Sequence, residues 1–265
     1  MAKKMNGKVV VVTGASAGIG KATAELFASR GAQVVCVQRR TVEGFDCVSA
    51  DVTDRSAVEA AVGQIVARYG RIDVLVNNAG MGISGTVEDT PEAEARRLFD
   101  VNFFGAFNLI SAVVPVMRAQ GGGVIVNVSS VAAKLAIPFQ SFYSASKAAL
   151  SSLETALRNE VAPFGIKVTS VLPGDVKTDF TSSRVKNAAD NPAYGDRVKR
   201  SVELMERDER NGMPPSVIAR DIAKVALAKN PPVCKIGGRK YALLVGIARL
   251  LPERAVSYIL GKMYG

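Results

Sequence analysis

Tyr143 and Lys147 stand four residues apart in Phe142-Tyr143-Ser144-Ala145-Ser146-Lys147, at the start of a pattern that predicts a helix running toward Val161. Residues at i and i+4 share a helical face, so the phenol and the ammonium can act on one site. A phenol with an ordinary pKa near ~10 is a weak acid or base at pH 7, and a neighbouring ammonium favours its charged form. The chemistry on offer is proton transfer at a substrate oxygen. Spacing alone does not select this pair, because Tyr258 and Lys262 repeat it with no glycine turn or serine pair arranged around them. Ser129-Ser130 add hydroxyl groups at the end of the apolar run Gly123–Val128. Asn102, within V-N-F-F-G-A-F, places an amide where it must find partners, structural or functional.

A nucleophilic serine is the rival chemistry, since Gly14-Ala15-Ser16-Ala17-Gly18 fits the G-x-S-x-G elbow of hydrolases. That mechanism needs a histidine to take the serine proton, and the 265 residues contain none. The same stretch reads better as a phosphate cradle. Residues 9–12 are four valines, a strand fit to be buried on both faces. Gly14, Gly18 and Gly20 follow at G-x-x-x-G-x-G spacing, and K-A-T-A-E-L-F-A-S-R predicts a helix ended by Gly31. Glycines let the backbone approach a pyrophosphate, and the helix N-terminus offers unpaired N–H groups to the anion. The spacing departs from the usual G-x-G-x-x-G.

The elements that must position these groups alternate between strand and helix. A strand at 33–37 runs into Gln38-Arg39-Arg40, where dinucleotide folds carry an acid for the free ribose hydroxyl of NAD or an arginine for the 2′-phosphate of NADP. Gln38 in the acid's place, followed by Arg39, favours NADP(H), with NAD(H) as the alternative. Strands at 46–50 and 72–76 lead into Asp51-Val52-Thr53 and Asn77-Asn78-Ala79-Gly80, separated by an amphipathic helix over Arg55–Tyr69. A long helix is predicted over 92–118 and another over 216–229, with a last strand within 233–244. This order predicts one α/β domain, a Rossmann-like doubly wound parallel sheet with helices on both faces.

Composition narrows the function. The net charge of +10 comes from 34 basic and 24 acidic residues, dispersed along the chain, with no tryptophan and no basic-aromatic interleaving. Nucleic-acid binding is therefore not expected. Cys36, Cys47 and Cys234 are odd in number, widely spaced and unaccompanied by histidine, which predicts buried thiols, no metal site and no disulfide framework. The short basic N-terminus lacks an apolar signal segment, and the longest apolar stretches read as shorter than a membrane span, so a cytoplasmic protein is expected.

In order and spacing, T-G-A-S-A-G-I-G, Asp51-Val52, N-N-A-G, Asn102, Ser129-Ser130, Y-S-A-S-K and Pro173-Gly174-Asp175-Val176-Lys177-Thr178 resemble the classical short-chain dehydrogenase/reductase family over residues 8–178. The resemblance implies interconversion of a ketone and a secondary alcohol by hydride transfer. It makes Tyr143 the acid/base, Lys147 the residue that lowers its pKa and holds the nicotinamide ribose, and Asn102 the anchor of a proton-relay water. Ser130, thirteen residues before Tyr143 as is usual in the family, becomes the donor that polarises the carbonyl. Gly14, Ser16, Gly18, Ile19, Gly20, Asp51, Val52, Asn78, Ala79, Gly80, Pro173, Gly174, Val176 and Thr178 match cofactor-contacting positions, joined by Tyr143, Lys147 and Arg39. An NAD-linked alcohol dehydrogenase and a non-catalytic NAD(P)-sensing protein are the alternatives. The family's habit implies a homodimer or homotetramer.

Past Thr178 the resemblance assigns less. Residues 179–215 are charged and carry Pro192, Pro214 and Pro215, which suits a segment covering the substrate. The extension 240–265 mixes leucine, isoleucine and valine with Arg249, Arg254 and Lys262, as a lid, a subunit contact or a membrane contact would; packing against protein is the expectation. Its apolar character points to a bulky, lipid- or steroid-like substrate.

Overall fold

Val9–Thr13 (β1) has no exposed residue, because its valines alternate between two cores. The computed structural model describes residues 4–187 and 191–265; residues 1–3 and 188–190, parts of the basic N-terminus and of the 179–215 segment, lie outside them. From β1 the chain passes through Gly18–Ser29 (α1), Gln33–Gln38 (β2), Asp46–Ser49 (β3), Arg55–Tyr69 (α2), Val74–Asn77 (β4) and Ile83–Ser84 (β5). Glu92–Phe99 (α3) continues through a π-helical turn, Asp100–Phe104, into Gly105–Ala119 (α4). Then come Gly123–Val128 (β6), Ser141–Val161 (α5), Ile166–Pro173 (β7), Phe180–Ser183 (α6), Val185–Lys186 (β8), Arg197–Arg210 (α7), Pro215–Ala226 (α8), Cys234–Gly237 (β9), Arg239–Ala248 (α9) and Glu253–Tyr264 (α10).

Seven strands form one parallel sheet in the order β3-β2-β1-β4-β6-β7-β9, and β5 pairs with β8 in a separate short ladder. Val9 and Val11 face a core with Val58, Val62 and Ile65 of α2 and Leu109, Val113 and Met117 of α4. Val10 and Val12 face the opposite core, with Ala24 and Phe27 of α1 and Ile218, Ile222 and Val225 of α8. Helices on both faces of a parallel sheet in a single domain constitute the doubly wound α/β fold.

The chain leaves β1 toward β2 and β3, then returns to build β4 and beyond on the other side, so a crevice opens where the β1 and β4 ends diverge. Hydrogen bonds close its floor. Thr13 Oγ1 accepts from the Asn78 and Ala79 amides, both at 2.9 Å, while Asn78 Nδ2 donates to the Thr13 and Gly14 carbonyls at 3.0 and 3.1 Å. Gly14 (φ +64°) and Gly18 (φ +54°) adopt left-handed backbone conformations that L side chains rarely take.

Several expectations are corrected. The last strand falls within the expected range but takes only its first part, because Gly238, with φ +87°, breaks it and residues from Arg239 onward coil into α9. The helix Glu92–Ala119 is long and apolar enough to cross a membrane by length and composition, contrary to the expectation that no stretch is. Here it is a layer helix with Leu98, Leu109, Ile110, Val113 and Met117 in the protein interior. Cys36 is buried as expected and Cys47 and Cys234 only half-buried; Cys36 and Cys47 are register partners on β2 and β3, as free thiols. Among the described residues no cluster of potential metal ligands occurs.

Gly20 tests the crevice floor. A Cβ there would lie 2.2 Å from the Gly14 carbonyl oxygen and 2.5 Å from Asn78 Nδ2. Gly20→Ala is expected to cost roughly 1–3 kcal/mol of stability in urea unfolding, since backbone must move to admit the methyl. Wild-type stability in this variant would mean that the turn and α1 are not locked together.

Candidate active site

The crevice widens into a cleft of about 710 Å³ along the C-terminal ends of the parallel strands, within the usual range for ligand pockets. Gly14, Ser16, Gly18, Ile19, Arg39, Asp51, Val52, Asn78, Ala79, Gly80, Ser130, Tyr143, Lys147, Pro173, Gly174, Val176 and Thr178 line it. Two of the residues marked by the sequence do not. Gly20 lies under the turn, and Asn102 is 1% exposed inside the π-turn.

α5 carries the acid/base pair. Lys147 Nζ donates to the Val128 carbonyl at 3.0 Å and lies 5.9 Å from the Tyr143 ring centroid. Tyr258 and Lys262 show the same 5.9 Å, on the surface of α10, so the i,i+4 geometry has no chemistry until the cleft surrounds it. Burial pushes the Tyr143 phenol up to about 12, with a hydrogen bond from Ser130 opposing. Burial also brings Lys147 down to about 8, against the opposing pull of Glu154. Lys147 Nζ is turned to a backbone carbonyl here, and burial is the larger influence on the phenol.

The two serines divide their work. Ser130 caps a short 3₁₀ turn, accepting from the Ala132 amide at 3.1 Å, which aims its hydroxyl at the Tyr143 side of the cleft. Ser129 is turned back into α5, 3.4 Å from the Lys147 carbonyl and 3.4 Å from Ser151 Oγ. Asn102 accepts from the Met81 amide at 2.8 Å and donates to the Met81 carbonyl at 3.0 Å and to Ser146 Oγ at 3.2 Å. Its amide pins the Gly80-Met81 loop to α5, so the side chain itself is fully occupied.

The residues fit a dinucleotide. Ala17, before α1, gives no side-chain cap and the first turn holds no acid, leaving the helix N–H groups for an anion at the glycine turn. A methyl on Gly80 would sit 3.2 Å from Asn102 Oδ1 and 3.6 Å from Lys147 Nζ, so glycine keeps the space before the lysine open. Arg39 is 72% exposed at the rim, 3.8 Å from Asp51, whose carboxyl is held below its usual range mainly by the Thr53 amide. β2 and β6 stand three strands apart in the sheet, roughly 14 Å at ~4.8 Å per strand, so Arg39 and Ser130 follow strands that lie at well separated places across the sheet.

The segment after Thr178 folds over this cleft. Phe180 packs 5.7 Å from Tyr143, ring centroid to centroid, and Val185, Met205 and Glu209 complete that wall. Glu209 is held by Arg184 and by Thr181 Oγ1 at 2.7 Å. From the tail, Tyr264 also lines the cleft, and Tyr241 stacks on Gly174 with its hydroxyl on the Asp175 carboxylate. Sequence reasoning missed Tyr241 and Tyr264, which no motif marks.

Comparison with known proteins agrees with this geometry. The short chain dehydrogenase family model matches residues 8–189. A 3-ketodihydrosphingosine reductase of Bacteroides thetaiotaomicron is 40% identical over 98% of this chain and 99% of its own. The crystal structure of a short-chain dehydrogenase from Streptomyces avermitilis superposes with a TM-score of 0.83 at 35% identity, covering 96% of this chain and 95% of that one. A 3-ketoacyl-(acyl-carrier-protein) reductase of Brucella melitensis, solved with NADH, gives 0.74 at 26% identity, covering 88% and 97%. The chain belongs to the short-chain dehydrogenase/reductase family: it is an NAD(P)(H)-dependent oxidoreductase.

Behind the acid/base pair lies a carboxyl that sequence reasoning also missed. Glu154, seven residues after Lys147 on α5, is 3% exposed and accepts from Asn127 Nδ2 at 3.1 Å. Asn127 in turn accepts from Asn77 Nδ2 at 2.9 Å, a polar file crossing from α5 to β6 and β4. An acid on the buried face of a predicted helix was the available signal. Burial pushes Glu154 up to about 7, against the pull of Ser170, Asn127 and Lys147. Between its unfolded value and about 7 the native state keeps a proton that the unfolded chain loses, so this group's contribution to stability falls as pH rises. Glu154→Gln is therefore expected to gain on wild type between about pH 5 and about pH 8, by an amount on the order of 3 kcal/mol. Urea unfolding at both pH values checks it, and an equal difference at the two would refute the assignment.

Proposed function

We propose that this protein is an NADP(H)-preferring reductase of bulky, largely apolar ketones, with Ser130, Tyr143 and Lys147 at the reacting carbonyl. The observation that carries the reading is the Tyr143 phenol beside Ser130 and Lys147, in one cleft with a glycine turn and the exposed guanidinium of Arg39 at its rim. Ile137, Phe180, Val185, Met205 and Tyr264 give the cleft wall beyond Tyr143 apolar side chains beside the polar Gln140 and Glu209, which supports a ketone with a hydrocarbon body. The name of the Bacteroides relative, a reductase of 3-ketodihydrosphingosine, points the same way.

When bound, the cofactor would supply hydride to the carbonyl carbon. The α1 N-terminus and glycine turn would hold its pyrophosphate, Asp51 and Val52 its adenine end, Arg39 a 2′-phosphate, and Lys147 and Tyr143 its nicotinamide ribose. Ser130 and Tyr143 would donate hydrogen bonds to the carbonyl oxygen, in a site where burial strengthens both. A phenol held at about 12 keeps its proton until that oxygen becomes alkoxide-like, and then gives it up, because an alkoxide is the stronger base. Lys147 is positioned to stabilise the resulting phenolate, and Asn102 holds the loop that faces them. We place the enzyme in the cytoplasm as a homodimer or homotetramer; exposed Phe104 and Phe164 offer apolar contacts for assembly.

Tyr143→Phe is expected to lower kcat for NADPH-dependent ketone reduction roughly a hundredfold or more, with dinucleotide binding near normal, and Tyr258→Phe to change neither. The readout is NADPH oxidation on long-chain and polycyclic ketones alongside short polar ones. Retained turnover in Tyr143→Phe would remove the phenol from the reaction, and a preference for small polar carbonyls would remove the apolar substrate.

Arg39→Ala is expected to reduce kcat/KM for NADPH by roughly ten- to a hundredfold while sparing NADH, the loss of a charge-assisted contact to phosphate. Equal losses with the two cofactors would make Arg39 a surface residue and favour the NAD-linked alternative.

A further inference from the structure

We propose that the C-terminal helix pair α9–α10 docks on an anionic lipid surface. Its inner side is committed to the protein body. Tyr241 bonds Asp175, Val245 is buried, and Tyr264 packs with Val198, Val202 and Met205. That anchoring fixes which side of the hairpin faces out.

The outer side is apolar. Of twelve large hydrophobic side chains exposed among the described residues, eight lie between Leu243 and Met263. Leu243, Leu244 and Ile247 on α9 and Tyr258, Ile259 and Met263 on α10 flank the apex, Leu250-Leu251-Pro252, where Leu250 is 86% exposed. Exposed apolar side chains gathered this densely on one pair of helices call for a cover.

Charge selects what covers it. Arg239, Lys240, Arg249, Arg254 and Lys262 are all exposed around the apolar side chains, and Glu253 is the single acid from 239 to 265. A second copy of the chain meeting this face about a two-fold axis would bring these like charges together, which is unfavourable. Anionic headgroups complement them, while the leucine apex and the tyrosine and isoleucine of α10 enter the headgroup–acyl boundary, as in interfacial amphipathic helices. Because Tyr264 on the same hairpin lines the cleft, docking would set the cleft beside the lipid.

The test uses the full chain in co-sedimentation with phosphatidylcholine vesicles containing or lacking phosphatidylglycerol, at low and high salt. Binding to the anionic vesicles is expected, weakened by roughly tenfold or more on pure phosphatidylcholine or at high salt. Leu243→Ser with Leu250→Ser, and separately Arg249→Glu with Arg254→Glu, should each weaken it by a similar factor, with melting temperature and dinucleotide affinity unchanged. These positions are exposed, so the variants retain the fold. Absence of binding to anionic vesicles, or binding that neither pair of substitutions alters, would overturn the proposal. So would sedimentation velocity in which the leucine variant dissociates an oligomer while vesicles capture nothing, an outcome that gives the face to a second copy.

Discussion

The hydroxyl of Thr13 is the point on which the site depends. By accepting two backbone N–H groups from the end of β4, it locks the ends of two strands whose connections run in opposite directions. The amide of Asn78 completes the lock from the other side, through the carbonyls of Thr13 and Gly14. Buried backbone groups in a turn need partners, and here the partners also set the spacing between the glycine turn and the N-N-A-G loop. The cleft is the space left over by that arrangement.

α5 is tied to the sheet by polar contacts as much as by apolar ones. Lys147, Ser151 and Glu154 recur at helical spacing on its buried side and meet the Val128 carbonyl, Ser129 and Asn127. Such groups are costly to bury unless paired, so the pairing fixes the rotation of α5 about its axis. Tyr143, one turn before Lys147, is thereby presented to Ser130. The π-turn around Asn102 contributes on the opposite side by holding Met81 through two hydrogen bonds.

Much of this was legible in the sequence because it is local. Four valines followed by a glycine turn encode β1 and α1 within a few residues, and alternating strand and helix patterns imply the parallel sheet. Other parts left no local mark. β7 interleaves Lys167, Thr169 and Ser170 with its apolar residues and so does not read as an apolar run, although it is the longest strand of the sheet. β5 and β8 are two residues each and exist only through their mutual pairing. Asp175 and Tyr241 meet across 66 residues. The sequence marks Asn102 as an amide needing partners, but not that a loop backbone supplies them.

Tyr241 also joins parts of the molecule with different duties. Its ring lies against Gly174 so closely that a Cβ on that glycine would fall 2.1 Å from it, and its hydroxyl holds Asp175. Gly174 and Asp175 belong to the cleft wall, and Tyr241 belongs to the hairpin. Placement of the hairpin and the shape of the wall are therefore one linked equilibrium. Whatever stabilises the hairpin in this position raises affinity for a ligand that needs this wall, and by reciprocity that ligand steadies the hairpin by the same factor.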